Sequence, residues 1–212
     1  MNLRLRRQTC VRLAAALAIT AVPVLGLAES NFVANAAGLS TTAHLDFQIT
    51  IPQMLFLQVG AGSAPLFNNN PTISLIEFDV PASRLADGSA VGATPASGDL
   101  GNGQVSVRLR GNTGDVQLRV DTAGELTRAG GTETIAWNDI AIQSAAAAGS
   151  PQGPIAHPLW SGGSITIPAI NSTVDLQAVW TYSYNNARLL RAGQYGGIGV
   201  NNGRVTYTAT QP

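Results

Sequence analysis

Apolar and polar side chains alternate with a period of two in almost every stretch of this chain after residue 40. Successive side chains of a β-strand point to opposite faces, so this alternation is typical of strands with one buried face. The longest example has an apolar residue at every second position: Val174, Leu176, Ala178, Trp180, Tyr182 and Tyr184. No stretch after residue 40 shows the repeat of an amphipathic helix, and the pattern predicts an all-β fold.

The alternation predicts about eight strands, at residues 45–59, 72–80, 104–109, 116–120, 134–142, 164–167, 173–184 and 204–210. Pro52 interrupts the first of these, because proline has no N–H to donate to a neighbouring strand. The strands at 104–109 and 116–120 flank Gly111-Asn112-Thr113-Gly114 and are predicted to form a β-hairpin. The stretch at 87–103, rich in Gly, Ser and Ala, is predicted to be a long surface loop.

Eight strands in a chain of this length favour two antiparallel sheets packed face to face, since a single open sheet would leave its apolar face in water. We therefore expect an antiparallel two-sheet β-sandwich, Ig-like or jelly-roll-like, over residues 43–212. Residues 29–42 precede the first strand and are expected to form a flexible N-terminal arm.

The first 28 residues have the three parts of a secretory signal peptide. Four arginines, Arg4, Arg6, Arg7 and Arg12, are followed by an apolar run over residues 13–27 and a small-residue exit ending at Ala28. The run contains Pro23 and is shorter than the roughly 20 residues that span a bilayer, so we expect cleavage and no stable membrane anchor. Cleavage after Ala36 is an alternative. The predicted location is the periplasm, the cell surface or the extracellular space.

Removing this leader changes the charge and the cysteine content. Eight arginines then stand against twelve acidic residues, a net charge of −4, and the chain has no lysine. Nucleic acid is therefore not an expected partner. The single cysteine, Cys10, lies within the leader, so no disulfide is predicted. The remaining 184 residues are enough to bury a core without one.

No set of residues with the spacing of a catalytic or metal site is recognisable. His44 and His157 are the only histidines; we expect the first to be an exposed strand residue and the second a turn residue. No pair of carboxylates is marked by its spacing, and no zinc or calcium ligand set can be assembled. The sequence predicts a non-enzymatic protein with no cofactor and no metal.

Tryptophans are considered separately because sugar-binding surfaces often present flat rings. Trp180 is in phase with the apolar face of its strand and is predicted to be in the core. Trp160 lies in a loop, and Trp137 stands beside polar residues. These two are the candidate ligand contacts of an alternative reading, in which the chain is a monomeric carbohydrate-binding or adhesive module.

The two ends of the predicted domain carry a resemblance. The opening Leu45-Asp46-Phe47-Gln48-Ile49-Thr50-Ile51-Pro52 and the closing Gly203-Arg204-Val205-Thr206-Tyr207-Thr208-Ala209-Thr210 resemble the first and last strands of bacterial exported fimbrial-type β-sandwich subunits. The layout is also similar to a group of uncharacterised secreted proteobacterial proteins. The chain departs from common pilins in lacking a disulfide, and its last strand looks complete.

The resemblance implies a subunit of a pilus-like or other cell-surface assembly, which lends a strand to complete a neighbour's sheet. Its protein partners would be copies of itself or an export chaperone, with glycans as ligands in the alternative reading. The candidate assembly strand contains the apolar residues Phe32, Val33, Leu39, Leu45, Phe47 and Ile49.

Overall fold

The computed structural model describes residues 30–35, 37–62, 67–150, 152–160 and 162–211. The predicted signal peptide lies outside these residues. The chain divides between Thr50 and Ile51 into two units. In the first unit, the described residues 30–35 and 37–50 are exposed and contain no helix or strand.

The second unit is built from antiparallel strands, which confirms the all-β prediction. Its described residues form ten strands: β1 Leu55–Val59, β2 Ala90–Gly92, β3 Gln104–Gly111, β4 Val116–Thr122, β5 Leu126–Thr127, β6 Thr134–Ile135, β7 Ile140–Ala146, β8 Ser164–Ile167, β9 Val174–Asn185 and β10 Val205–Thr210. They also form two single 3-10 turns, Ala82–Arg84 and Trp137–Asp139.

Two main sheets form the body of this unit. In the larger one, β3 pairs with β1 and β9, and β9 also pairs with β2 and β7. In the smaller one, β4 lies between β10 and β8. Strands β5 and β6 form a separate two-stranded ribbon. The arrangement is consistent with a β-sandwich whose sheets are not closed into a barrel.

The core contains apolar side chains that the alternation predicted to be on the buried faces of the strands. Leu109 of β3, Leu118 of β4 and Trp180 of β9 are fully buried in one cluster. Along β9 the whole apolar phase predicted from the sequence is buried, from Val174 to Tyr184. Burial of alternate residues on both main sheets is the pattern that packs two sheets face to face.

The predicted hairpin between residues 104–109 and 116–120 is wrong. Strand β3 belongs to the larger sheet and β4 to the smaller one, so the chain crosses between sheets after Gly111. The error has a physical reason: a hairpin and a crossover both bury alternate residues. Val107 and Leu118, for example, are buried in the same cluster. Alternation shows which face is buried and leaves the pairing partner undefined.

Four further predictions need correction. The strand predicted at 134–142 is interrupted by the 3-10 turn at Trp137–Asp139, which separates β6 from β7. The loop predicted at 87–103 contains the short strand β2. The strand predicted at 45–59 begins only at Leu55, and residues 72–80 belong to no sheet. The missing strands have the predicted alternation but lack a full set of pairing partners among the described residues.

Candidate functional site

A large cleft opens on the second unit between residues 72–80, here called the 72–80 segment, and the chain from residue 190 to the start of β10. Its volume is about 1050 Å³. This is at the upper limit of the roughly 300–1,000 Å³ of ordinary small-molecule pockets. A surface of this size has room for several side chains at once.

Between Ser74 and Val80, the main chain of the 72–80 segment is hydrogen-bonded to other described residues along only one of its edges. The carbonyl oxygens of Leu75 and Glu77 accept bonds from the N–H groups of Gly98 (3.0 Å) and Thr94 (2.8 Å), and the Glu77 N–H donates to Ser97 Oγ (2.9 Å). In extended backbone, alternate residues direct their N–H and C=O groups to opposite sides. The main-chain groups of the intervening residues therefore form a second edge.

That second edge is unpaired. Among the described residues, no hydrogen bond reaches the main-chain N–H groups of Ser74, Ile76, Phe78 and Val80. The side chains of the same four residues are half-buried and line the cleft. Free backbone groups beside an apolar surface are a template for pairing with another strand.

Strand β10 contributes the opposite wall. Val205 and Tyr207 line the cleft, and β4 is the only strand that pairs with β10 in the described part of the chain. One edge of β10 is therefore without a partner strand. The cleft is thus lined by two segments, the 72–80 segment and β10, that each have main-chain groups without a partner strand in the described part of the chain.

Aromatic rings form much of the cleft floor. Trp137 and Trp160 lie with ring centroids 5.0 Å apart, and Tyr182, Tyr184 and Tyr207 also line the cleft. The two indole N–H groups are already used: Trp137 Nε1 donates to the Gly124 carbonyl (2.6 Å) and Trp160 Nε1 to the Ile140 carbonyl (2.9 Å). The floor therefore presents mainly apolar ring surface.

His157 lies behind this floor and connects its rings. Its ring centroid is 4.5 Å from that of Trp160 and 4.7 Å from that of Trp180, and Nε2 forms a 2.8 Å hydrogen bond with Tyr207 Oη. Burial lowers the pKa of His157 to about 4. Burial also raises the pKa of Tyr182 to about 12, and burial together with the neighbouring Tyr182 raises the pKa of Tyr207. These groups are uncharged at neutral pH.

The pKa of His157 predicts that the protein loses stability in mild acid. A folded-state pKa near 4, below the ordinary 6.5, means that the unfolded chain binds a proton first as the pH falls. We expect the free energy of unfolding to fall by about 1 to 2 kcal/mol between pH 7 and pH 5, after allowance for solvent screening. Urea unfolding at the two pH values measures this difference. His157→Gln should remove most of it, and an unchanged difference would contradict the assignment.

Ion pairs occupy part of the cleft rim. Arg188 Nη2 bonds to Asp139 Oδ2 (2.9 Å), and Arg191 Nη1 bonds to Glu133 Oε1 (3.0 Å). The hydrogen bond from Arg128 to Glu133, followed by that from Arg191, lowers the pKa of Glu133 to about 2. Of the three arginines that line the cleft, Arg188 and Arg191 are therefore already paired with carboxylates within the fold, and Arg204 is the third.

The residues predicted for an assembly strand are all exposed in the first unit: Phe32, Val33, Leu39, Leu45, Phe47 and Ile49. The alternating part, residues 44–51, is here called the 44–51 segment. Phe47 is 84% exposed and Ile49 85% exposed, values that are unusual for large apolar side chains. These large apolar side chains in strand phase are therefore left exposed.

The structure brings together the two predicted ligand contacts of the alternative reading, Trp137 and Trp160, which are 23 positions apart in the sequence. Both are half-buried and pack against the core cluster. Sequence reasoning missed the unpaired edge of the 72–80 segment and the contacts of His157. The alternation in residues 72–80 was visible, but nothing in it showed that a partner strand is lacking.

Within the described ranges, no three His, Cys, Asp or Glu side chains are grouped so as to hold a metal ion. The same residues include no helix with the length and apolarity of a membrane crossing. Comparisons of the chain with protein-family models, with curated proteins and with solved structures find no match.

Proposed function

We propose that this chain is an exported, non-enzymatic structural subunit of a pilus-like or other cell-surface assembly, and that it binds its neighbours through strand edges. The observation that supports the proposal is that two features, each lacking a binding partner among the described residues, occur in the same chain. One is an exposed segment with strand alternation, and the other is a cleft with open main-chain edges.

The two features complement each other chemically. The 44–51 segment offers apolar side chains in one phase, and the cleft offers an aromatic floor that would bury them. Burial of one large apolar side chain contributes about 1.5 to 3 kcal/mol. The backbone of an inserted strand would also satisfy the free N–H groups of the 72–80 segment, as in other cases of strand addition.

Two deletions test the proposal and locate the segment. The exported chain should form large particles by light scattering and electron microscopy. A chain lacking residues 29–42 should still form them, because it retains the 44–51 segment. A chain lacking residues 29–50 should stay monomeric with an unchanged melting temperature. Assembly that survives the longer deletion would refute this role of the segment.

The carbohydrate-binding alternative rests on Trp137 and Trp160, whose rings line the cleft. It predicts that the monomeric chain lacking residues 29–50 is retained on a glycan array and that Trp160→Ala abolishes the retention. Retention lost in this way, together with no assembly by the full chain, would favour the alternative.

A further inference from the structure

Asn112 joins the first residues of the second unit to the end of β3. Its Oδ1 accepts a hydrogen bond from the Met54 N–H (2.8 Å), and its Nδ2 donates to the Pro52 carbonyl (2.8 Å). Its own N–H donates to the Met54 carbonyl (3.3 Å). One residue therefore makes three hydrogen bonds to the three-residue stretch 52–54.

These bonds continue the pairing of β1 with β3 beyond its last regular pair. Leu55 pairs with Gly111, so Met54 stands opposite Asn112 at the next position. The Asn112 side chain accepts the hydrogen bond that the Met54 N–H would donate to a backbone carbonyl in a regular ladder. The stretch 52–54 is thereby held in line with β1, although Pro52 has no N–H to contribute.

The place where the chain is held is remote from the cleft. Val59 is the only residue of β1 that lines the cleft. From β10, only Val205, Thr206 and Tyr207 line it. Met54 and Asn112 lie at the opposite end of β1, beside the contact of Thr113 with Gln211, which follows β10. At about 3.3 Å per residue, the path from Met54 to Val59 is about 17 Å long.

This distance decides where the 44–51 segment can be used. The chain could instead reverse at residues 52–54 and run back along its own β1. Residues 51 to 47 would then lie beside β1 and would be needed to reach the cleft. Only His44 to Asp46 would then enter it. Phe47 and Ile49, which carry most of the apolar surface in the segment, would lie outside.

We infer that Asn112 is a positioning residue, which holds the root of the 44–51 segment in line with β1 and so directs the segment to a second copy of the chain. This inference rests on the proposed function. A contact from one end of a copy to the cleft of the next is head-to-tail, and such contacts extend into an open chain unless a rotation closes them.

Three variants of the full exported chain test the inference. Asn112→Ala removes both side-chain bonds, whereas Asn112→Asp keeps the acceptor for Met54 and loses the donor to Pro52. Thr113→Ala is the matched control, because the Thr113 hydroxyl donates its hydrogen bond to Gln211 Oε1 (2.7 Å) rather than to residues 52–54. Two lost hydrogen bonds correspond to a roughly tenfold slower assembly for Asn112→Ala. Asn112→Asp should be intermediate, and Thr113→Ala should assemble like the wild type.

A second readout is independent of assembly. In dilute, unassembled protein, Asn112→Ala should speed amide exchange at Met54, whose N–H bonds to Asn112 Oδ1, by at least about tenfold, while Thr113→Ala should not. Unchanged exchange would overturn the inference, and so would an equal assembly rate for Asn112→Ala and wild type. If wild type assembles and Asn112→Ala assembles equally fast, only this inference fails. If the wild type forms no particles, the proposed function fails with it.

Discussion

Trp180→Ala is expected to lower the free energy of unfolding by about 4 kcal/mol, the largest effect of any single substitution in the core. Trp180 is fully buried in β9, the strand that pairs with β2, β3 and β7. Its ring packs against His157 and, at 5.3 Å between centroids, against Tyr207. Truncation would leave a large cavity between the two sheets.

The same substitution also removes a hydrogen bond. Trp180 Nε1 donates to the carbonyl of the buried Ile155 at 2.7 Å, and this oxygen would keep only the hydrogen bond from Ser144 Oγ (2.6 Å). Trp180→Phe is a smaller truncation, because it keeps one aromatic ring and loses the donor with the second ring of the indole; we expect about 1 to 2 kcal/mol for it. Urea unfolding measures both variants. A loss below about 1 kcal/mol for Trp180→Ala would show that this site is not the centre of the core.

The double substitution Phe47→Asp and Ile49→Asp is expected to weaken assembly at least about a hundredfold. Both side chains are exposed, so the fold should not change. In an assembled state they would lie against the aromatic floor of a neighbour's cleft, where two unpaired carboxylates are strongly disfavoured. Light scattering over a range of protein concentrations measures the change, and the melting temperature reports on the fold.

Gln48→Asp with Thr50→Asp is the matched control for this prediction. It adds the same charge to the same segment in the opposite phase, where side chains would face solvent in an inserted strand. We expect assembly within about threefold of wild type, since exposed charges have small effects. If both double variants weakened assembly equally, charge rather than strand phase would be responsible, and strand insertion would be refuted.

Strand alternation predicted the positions of those strands that pair with another strand of the same chain. The buried phase of β9 and the alternation of β10 were both readable from the sequence. Pairing was not readable, because Val105 to Leu109 and Val116 to Val120 would be buried equally in a hairpin or across two sheets. The absence of an α-helix from the described residues followed from the same pattern.

The site was predictable only in part. The sequence indicated that Leu45, Phe47 and Ile49 form a strand face, and the structure leaves that face exposed. The cleft could not be predicted, because it depends on long-range contacts such as that of His157 with Tyr207, fifty residues apart. A strand that lacks its partner has the same sequence pattern as one that has it.

The central claim is that a strand from another copy fills the cleft, and amide exchange in the 72–80 segment tests it most directly. The N–H groups of Ser74, Ile76, Phe78 and Val80 have no hydrogen-bond partner among the described residues. Mass spectrometry of the peptide covering residues 72–80 should show exchange at least about tenfold slower in assembled wild type than in the Phe47→Asp, Ile49→Asp monomer. Equal exchange in the two states would contradict the claim.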